Sequence, residues 1–194
     1  MSNKYFRKTP IALVQGLLAA VVLMTTSLGL AFAAPKVEIL NAEYAGSGCP
    51  GGTASISFSP NGQKLTIRFN QFIARGNKPN ESRKSCNLTI PIRVSKGYQV
   101  SLYDASYRGN VAPRTTGKLR AEYFFAGQPG SIFSRTFTGK REYNVRDSLR
   151  NRTNVWSRCG DSVNMRVNSS MIAEGQGTAT VEQMVADIGV RRCK

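Results

Sequence analysis

Histidine is absent from this chain of 194 residues. Without imidazole there is no Ser-His-Asp or Cys-His catalysis, no zinc-protease helix, no His-based nuclease chemistry, and almost no means of building a catalytic zinc or copper site. Acid is scarce as well: Asp and Glu total 11 against 27 Lys and Arg, a formal net charge of +16. No Cys-x-x-Cys occurs, and the wide spacing of the four cysteines argues against a thiolate metal site, so neither metal nor cofactor is expected. After Leu30 no apolar run approaches the roughly 20 residues of a membrane span.

What is present begins with a leader. Lys4, Arg7 and Lys8 precede an apolar stretch from Ile11 to Leu30, and Ala31-Phe32-Ala33 supplies the small residues of a signal-peptidase site. An uncleaved anchor is the competing reading; Gln15 and Gly16 at the start of the stretch and Thr25, Thr26 and Ser27 in its second half favour cleavage. Removing residues 1–33 from 194 leaves 161, a single secreted domain over residues 34–194 with enough chain to bury a core. The leader holds three cations and no acid, so the formal charge falls from +16 to +13. That surplus favours polyanions such as acidic polysaccharide, cell-wall polymer, lipid headgroups or nucleic acid, through forces that salt weakens; the plainer alternative is solubility.

Export to an oxidising space makes disulfides the expected state of Cys49, Cys86, Cys159 and Cys193. Three pairings are open. The order along the chain favours Cys49 with Cys86 around a first hairpin, and Cys159 with Cys193 around the last strands.

Between the cysteines, short alternating runs are separated by Gly, Pro and Asn turns, the pattern of an all-β, jelly-roll-like antiparallel sandwich. Leu65, Ile67 and Phe69 face one way and Thr66, Arg68 and Asn70 the other. Ser59-Pro60-Asn61-Gly62 predicts a hairpin joining residues 53–58 to 64–73, broken near Asn70 or Gln71. Further strands are predicted near 36–44 and over 87–94, 98–107, 118–125, 131–138, 162–172 and 178–189. The parity of apolar residues switches at Leu102 and Tyr103, which predicts a kink. Thr180 to Ile188 also fits helical spacing, with a capping-box imitation at Thr180 and Gln183.

Gly46-Ser47-Gly48-Cys49-Pro50, Arg83-Lys84-Ser85-Cys86, Gly97-Tyr98-Gln99-Val100, Tyr107-Arg108-Gly109, Trp156-Ser157-Arg158-Cys159-Gly160 and Arg191-Arg192-Cys193 together resemble a secreted family of bacteria and fungi, domain of unknown function 4360. The resemblance spans nearly all of residues 34–194. It implies a signal peptide, four cysteines, a β-rich domain and a last strand running into Cys193, and it implies no activity or catalytic residue. Val190 stands where the family often has an aromatic residue, and Arg158 where it often has proline.

Three stretches are candidate sites. Gly46 to Thr53 is glycine-rich like a phosphate loop, but it lacks the Gly-Lys-Thr ending and a following helix, so a tight turn serving Cys49 is the expectation. In Tyr107-Arg108-Gly109 an arginine beside an aromatic could hold an anion or sugar; Arg108 packed over Tyr107, with Gly109 turning the chain, is the structural reading. From Phe133 to Arg158 the chain holds Arg135, Lys140, Arg141, Arg146, Arg150, Arg152 and Arg158, interleaved with Phe133, Phe137, Tyr143 and Trp156. Exposed, those aromatics would stack on bases or sugar rings while the cations neutralise a polyanion; buried, they would be core.

The sequence therefore predicts an exported module that binds an anionic surface or polymer through Arg108 and the cations of residues 135–152. A His-free carbohydrate-active enzyme using two of Asp104, Glu122 and Glu142 is the alternative from another class, since glycoside hydrolysis needs paired carboxylates in a cleft. A structural envelope or matrix protein is a third.

Overall fold

The computed structural model describes residues 37–139, 141–150, 156–160 and 162–193. The predicted leader, Lys140 and Arg152 lie outside the described residues.

The described chain is an antiparallel β-sandwich. Its strands are β1 (Val37–Ile39), β2 (Glu43–Ala45), β3 (Ala54–Phe58), β4 (Lys64–Phe69), β5 (Ile73–Arg75), β6 (Arg83–Val94), β7 (Tyr98–Val111), β8 (Thr115–Phe125), β9 (Ser131–Thr138), β10 (Arg141–Ser148), β11 (Val163–Gly175), β12 (Thr178–Thr180) and β13 (Gln183–Arg192). The first sheet runs β1-β6-β11-β8-β9, with β2 also on β6; the second runs β3-β4-β13-β7-β12-β5, with β10 on the other side of β7. From β6 onward the chain passes repeatedly between the sheets, in jelly-roll manner. No helix among the described residues is long and apolar enough to cross a membrane.

Period-two alternation builds the core. Leu65, Ile67 and Phe69 of β4, Leu102, Ala105 and Tyr107 of β7, and Met184, Ala186 and Ile188 of β13 point inward from the second sheet. They meet Leu88, Ile90 and Ile92 of β6, Leu119, Ala121 and Tyr123 of β8, and Met165, Val167 and Met171 of β11. Tyr107 and Phe133 stack across the sandwich, with centroids 6.2 Å apart.

The expected kink is a bulge. Asp187 pairs with Asp104 but Ile188 pairs with Leu102, leaving Tyr103 as the extra residue of β7. The hairpin before it follows the sequence: β3 and β4 pair from Ala54↔Phe69 to Phe58↔Leu65 around the predicted turn.

Two of the predicted strands are corrected. The strand predicted over 178–189 is two, because β12 pairs with β5 while β13 pairs with β4, so the break at Asn70–Phe72 imposes a matching break at Val181 and Glu182. The opening strand is likewise split into β1 and β2, both on β6. β10 was not predicted. Its inward positions are Tyr143, the half-buried Val145 and the buried acid Asp147, too polar a set to read as a strand face.

Gly109 does not turn the chain, and Arg108 does not lie over Tyr107. Both neighbours sit within β7, where Tyr107 points into the core and Arg108 out to solvent. Glycine is required there because Tyr143 crosses it: its hydroxyl donates to Thr180 O at 2.5 Å, and its ring stacks on Phe137 with centroids 4.1 Å apart. A methyl at residue 109 would run into that tyrosine's ring end and the Thr180 carbonyl oxygen, a backbone atom that cannot swing aside. Gly109→Ala is expected to cost about 1–3 kcal/mol, the range for overpacking a filled core, read as a lower urea midpoint. An unchanged midpoint would mean that β10 relaxes freely.

Two disulfides join Cys49 to Cys86 and Cys159 to Cys193. The glycines before Cys49 allow the first. A side chain at Gly46 would strike Ser85 O and one at Gly48 the Phe72 ring, so the loop lies directly on β6 and donates Gly48 N–H to Ser85 O at 2.8 Å. The glycine-rich stretch thus serves the cystine, as expected of a tight turn.

Candidate functional site

The outer face of the second sheet gathers polar side chains from four adjacent strands. Alternation turns Lys64, Thr66 and Arg68 of β4 outward, because Leu65, Ile67 and Phe69 are committed to the core. The same logic turns outward Gln183, Val185 and Asp187 of β13, Asp104, Ser106 and Arg108 of β7, and Asn144, Arg146 and Ser148 of β10. Register aligns these into rows across the strands: Arg68, Gln183, Arg108 and Asn144 form one; Thr66, Val185, Ser106 and Arg146 the next; Lys64, Asp187, Asp104 and Ser148 the third. Neighbouring strands lie about 4.8 Å apart, so Arg68 and Arg108 flank Gln183 at about 10 Å from each other.

Two depressions lie along this face and share Lys64 and Asp187. One, of about 360 Å³, is lined by Ser106, Arg108, Asn144, Arg146, Gln183 and Val185. The other, of about 390 Å³, lies between the Ser59, Asn61 and Gln63 turn and Tyr103, with Ile188, Gly189 and Val190 of β13 beneath. From Gln183 to Gly189 the pair extends about 20 Å along β13, at the rise of an antiparallel strand.

Asp104 anchors the middle of the groove. Its side chain is 2% exposed, yet it receives Arg146 Nη2 at 2.6 Å and Arg150 Nε at 3.3 Å, and both arginines remain 60% exposed. Burial pushes the carboxyl up, but the hydrogen bond from Arg146, the bond to Ser148, the charge of Arg146 and the bond from Arg150 together outweigh it and hold the pKa below the ordinary 3.8. Asp104 is therefore an ionised support for two guanidinium groups. Lys64 reaches Asp187 at 3.4 Å and Arg108 reaches Glu182 only at 4.0 Å, both exposed pairs that a ligand can break cheaply.

The predicted cations divide. Arg108, Arg146 and Arg150 share this face. Arg141 is exposed on β10 beside Val111, farther along the same strand pair. Arg135 is on β9 of the other sheet, its guanidinium 4.7 Å from the Phe133 centroid. The aromatics interleaved with them are not free to stack on a ligand: Phe133, Phe137 and Tyr143 are core residues, and Trp156 is held between the edge of Tyr103 and Arg191, 3.7 Å from its centroid. The carboxylates do not converge either. Glu122 belongs to the first sheet and is paired with Arg120; Glu142 lies opposite Asn110 and Asp104 opposite Ser148, six residues or about 20 Å along the strands. Among the described residues no cluster of three or more acids and cysteines is arranged to hold a metal ion.

Lys64, Arg68, Tyr103, Gln183 and Asp187 were not singled out from sequence. The usable signal was strand parity, which already turned Arg68 outward; what it lacked was the identity of the neighbouring strands.

A family model described as "Domain of unknown function (DUF4360)" matches residues 35–192. The chain belongs to this family. An uncharacterized secreted protein of Arthroderma benhamiae is 35% identical to this DUF4360 chain over 144 residues, covering 70% of the chain and 59% of that protein. The chain thus spans less than two thirds of that relative's length. Among solved structures, TmCBM61 in complex with β-1,4-galactotriose is similar at 10% identity and a TM-score of 0.38, with 78% of this chain and 88% of that one covered. CBM28, a carbohydrate-binding module specific for non-crystalline cellulose, is similar at 13% identity and a TM-score of 0.36, with the same coverage of 78% and 88%. Likenesses this distant carry no inference about ligand.

Proposed function

We propose that this DUF4360 protein is an exported, non-enzymatic module that binds an anionic polymer along the outer face of its second sheet, after removal of the leader at Ala34. The observation that carries this reading is the row of Arg68, Gln183 and Arg108 beside Arg146 and Arg150, which share a single buried carboxylate. Two exposed guanidinium groups pinned by one acid leave a net positive charge that is fixed in place before a ligand arrives. Fixed donors lose little side-chain entropy on binding, and Arg presents a planar fork to carboxylate, sulfate or phosphate. The cationic surplus of the chain adds steering that salt screens.

The test is binding of the full chain to polygalacturonate and to polyphosphate at low and physiological salt, against Arg68→Glu/Arg108→Glu. Each neutralised cation near an anionic surface is worth about 1 kcal/mol, and reversal more, so the double variant is expected to bind at least about tenfold more weakly. These arginines are exposed, so the variant's thermal midpoint should be close to that of the wild type. Binding that survives the reversal undiminished would reject this face as the site.

A further inference from the structure

We infer that the depression beside Tyr103 is a sugar-reading subsite, so that the polymer bound by the groove is an acidic polysaccharide rather than a polyphosphate or a lipid surface. This inference rests on the groove reading above and adds the chemical class of its ligand.

The argument starts at the bulge. In a regular β7 strand the alternation would continue evenly through Leu102 and Asp104; the extra residue lets both Leu102 and Ala105 face the core and leaves Tyr103 over the sheet's outer surface. The ring settles across β13 at Gly189, where a Cβ would collide with it. Any other residue at 189 would lift the ring from the sheet. Trp156 stands against the ring in a T-shaped arrangement with centroids 5.7 Å apart, and the Arg150 guanidinium lies over the ring, 5.1 Å from its centroid, so a sugar at this ring meets that guanidinium as well. The tyrosine is thus a half-buried aromatic wall fixed by its neighbours, in a protein whose other large aromatics mostly belong to the core.

Opposite the ring stands the turn after β3. Ser59 Oγ donates to Asn61 Oδ1 at 2.6 Å, and Asn61 Nδ2 donates to Gln63 Oε1 at 3.2 Å, so these side chains hold one another in position. Ile188 N–H donates to Gln63 O at 2.8 Å and ties the turn to the edge of β13. The slot between turn and ring, about 390 Å³, therefore offers an aromatic wall, amide and hydroxyl groups, and the Asp187 carboxylate with Lys64 and Arg150 at its margin. An aromatic face packs against the C–H groups of a sugar ring, and planar amides and carboxylates hydrogen-bond its hydroxyls. A phosphate chain has no C–H face to place there, and a lipid headgroup has no repeating unit to continue into the second depression. A polyuronate has both: a pyranose for the slot, and carboxylates on further units for Arg146 and Arg108.

Titration calorimetry on the full chain with oligogalacturonate, neutral oligogalactan and polyphosphate provides the test, using wild type, Tyr103→Ala, Tyr103→Phe and Arg68→Glu/Arg108→Glu. Tyr103→Ala is expected to weaken oligogalacturonate about tenfold, in line with aromatic stacking on a ring, while polyphosphate affinity is unchanged and Tyr103→Phe retains most binding. The arginine variant is expected to weaken both polyanions. An unaltered oligogalacturonate affinity in Tyr103→Ala, or an equal loss toward polyphosphate, overturns the subsite and leaves the groove reading standing if the arginine variant still binds both polyanions more weakly than the wild type. Tight polyphosphate binding with no oligogalacturonate binding by the wild type overturns it too. Full binding of both polyanions by the arginine variant overturns the groove reading itself.

Discussion

Replacing Cys49 and Cys86 together by alanine is expected to destabilise the protein by about 4 kcal/mol. The bond closes a loop across a sequence separation of 37, and the chain-entropy model assigns about that value to a loop of this size. Cys159–Cys193, with a separation of 34, is worth nearly the same by that argument. Their surroundings separate them. Cys49 and Cys86 are fully buried within the core cluster, under a loop that lies on β6, whereas Cys159 is exposed. Thiol–disulfide exchange needs access of the attacking thiolate to sulfur. Under native conditions, mild reductant followed by alkylation is therefore expected to label Cys159 and Cys193 first, and Cys49 and Cys86 only on unfolding. Urea denaturation of the two double variants, with peptide mapping of the alkylated wild type, checks both statements. Simultaneous labelling of all four cysteines in the folded protein would contradict the protection that the burial implies.

Asp104→Asn is the second large effect. The substitution preserves shape but removes a buried charge that two guanidinium groups converge on. Breaking a buried ion pair costs about 3–5 kcal/mol; because Arg146 and Arg150 stay 60% exposed and recover hydration, about 2–3 kcal/mol is expected here. The pH dependence has a definite sign. Asp104 has a folded pKa held below its ordinary 3.8, so its contribution is present above that pH and disappears as pH falls through the lower folded value. Wild type and Asp104→Asn should differ in urea midpoint at pH 7 and converge well below pH 3.8. A gap that persists in strong acid would mean that the variant suffers from altered packing rather than from a lost charge. Loss of the anchor also releases both arginines, so weaker polygalacturonate binding at pH 7 is expected alongside the stability change.

The groove explains why the stretch from Phe133 to Arg158 reads as it does. On β9 and β10 Phe133, Phe137 and Tyr143 turn inward and Arg146 turns outward, while Arg135 and Arg141 share the parity of those aromatics and are nonetheless exposed. The same composition in a loop would have presented both kinds of side chain together. Most of the strands were legible, because Leu65-x-Ile67-x-Phe69 and its counterparts can bury a face in only one way. β10 was not, because Asp147 occupies an inward position that a composition rule assigns to solvent.

By itself the sequence determined that the chain forms strands rather than helices, that each strand buries one face, that no imidazole chemistry is available, and that cations outnumber acids on whatever surface results. Those properties are local, since they follow from side-chain type and a period of two. Which strands become neighbours is not local. Arg68, Gln183, Arg108 and Asn144 are scattered along the chain and become one row only through the pairing of β4, β13, β7 and β10. Tyr103 becomes a wall only because a bulge drops its ring onto a glycine far along the chain, at position 189. Apart from proline, residues offer the same backbone hydrogen bonds, so register between distant strands is decided by how both faces and both disulfides can be satisfied at once. That condition exists only in the folded molecule, and it is what turned dispersed arginines into a surface.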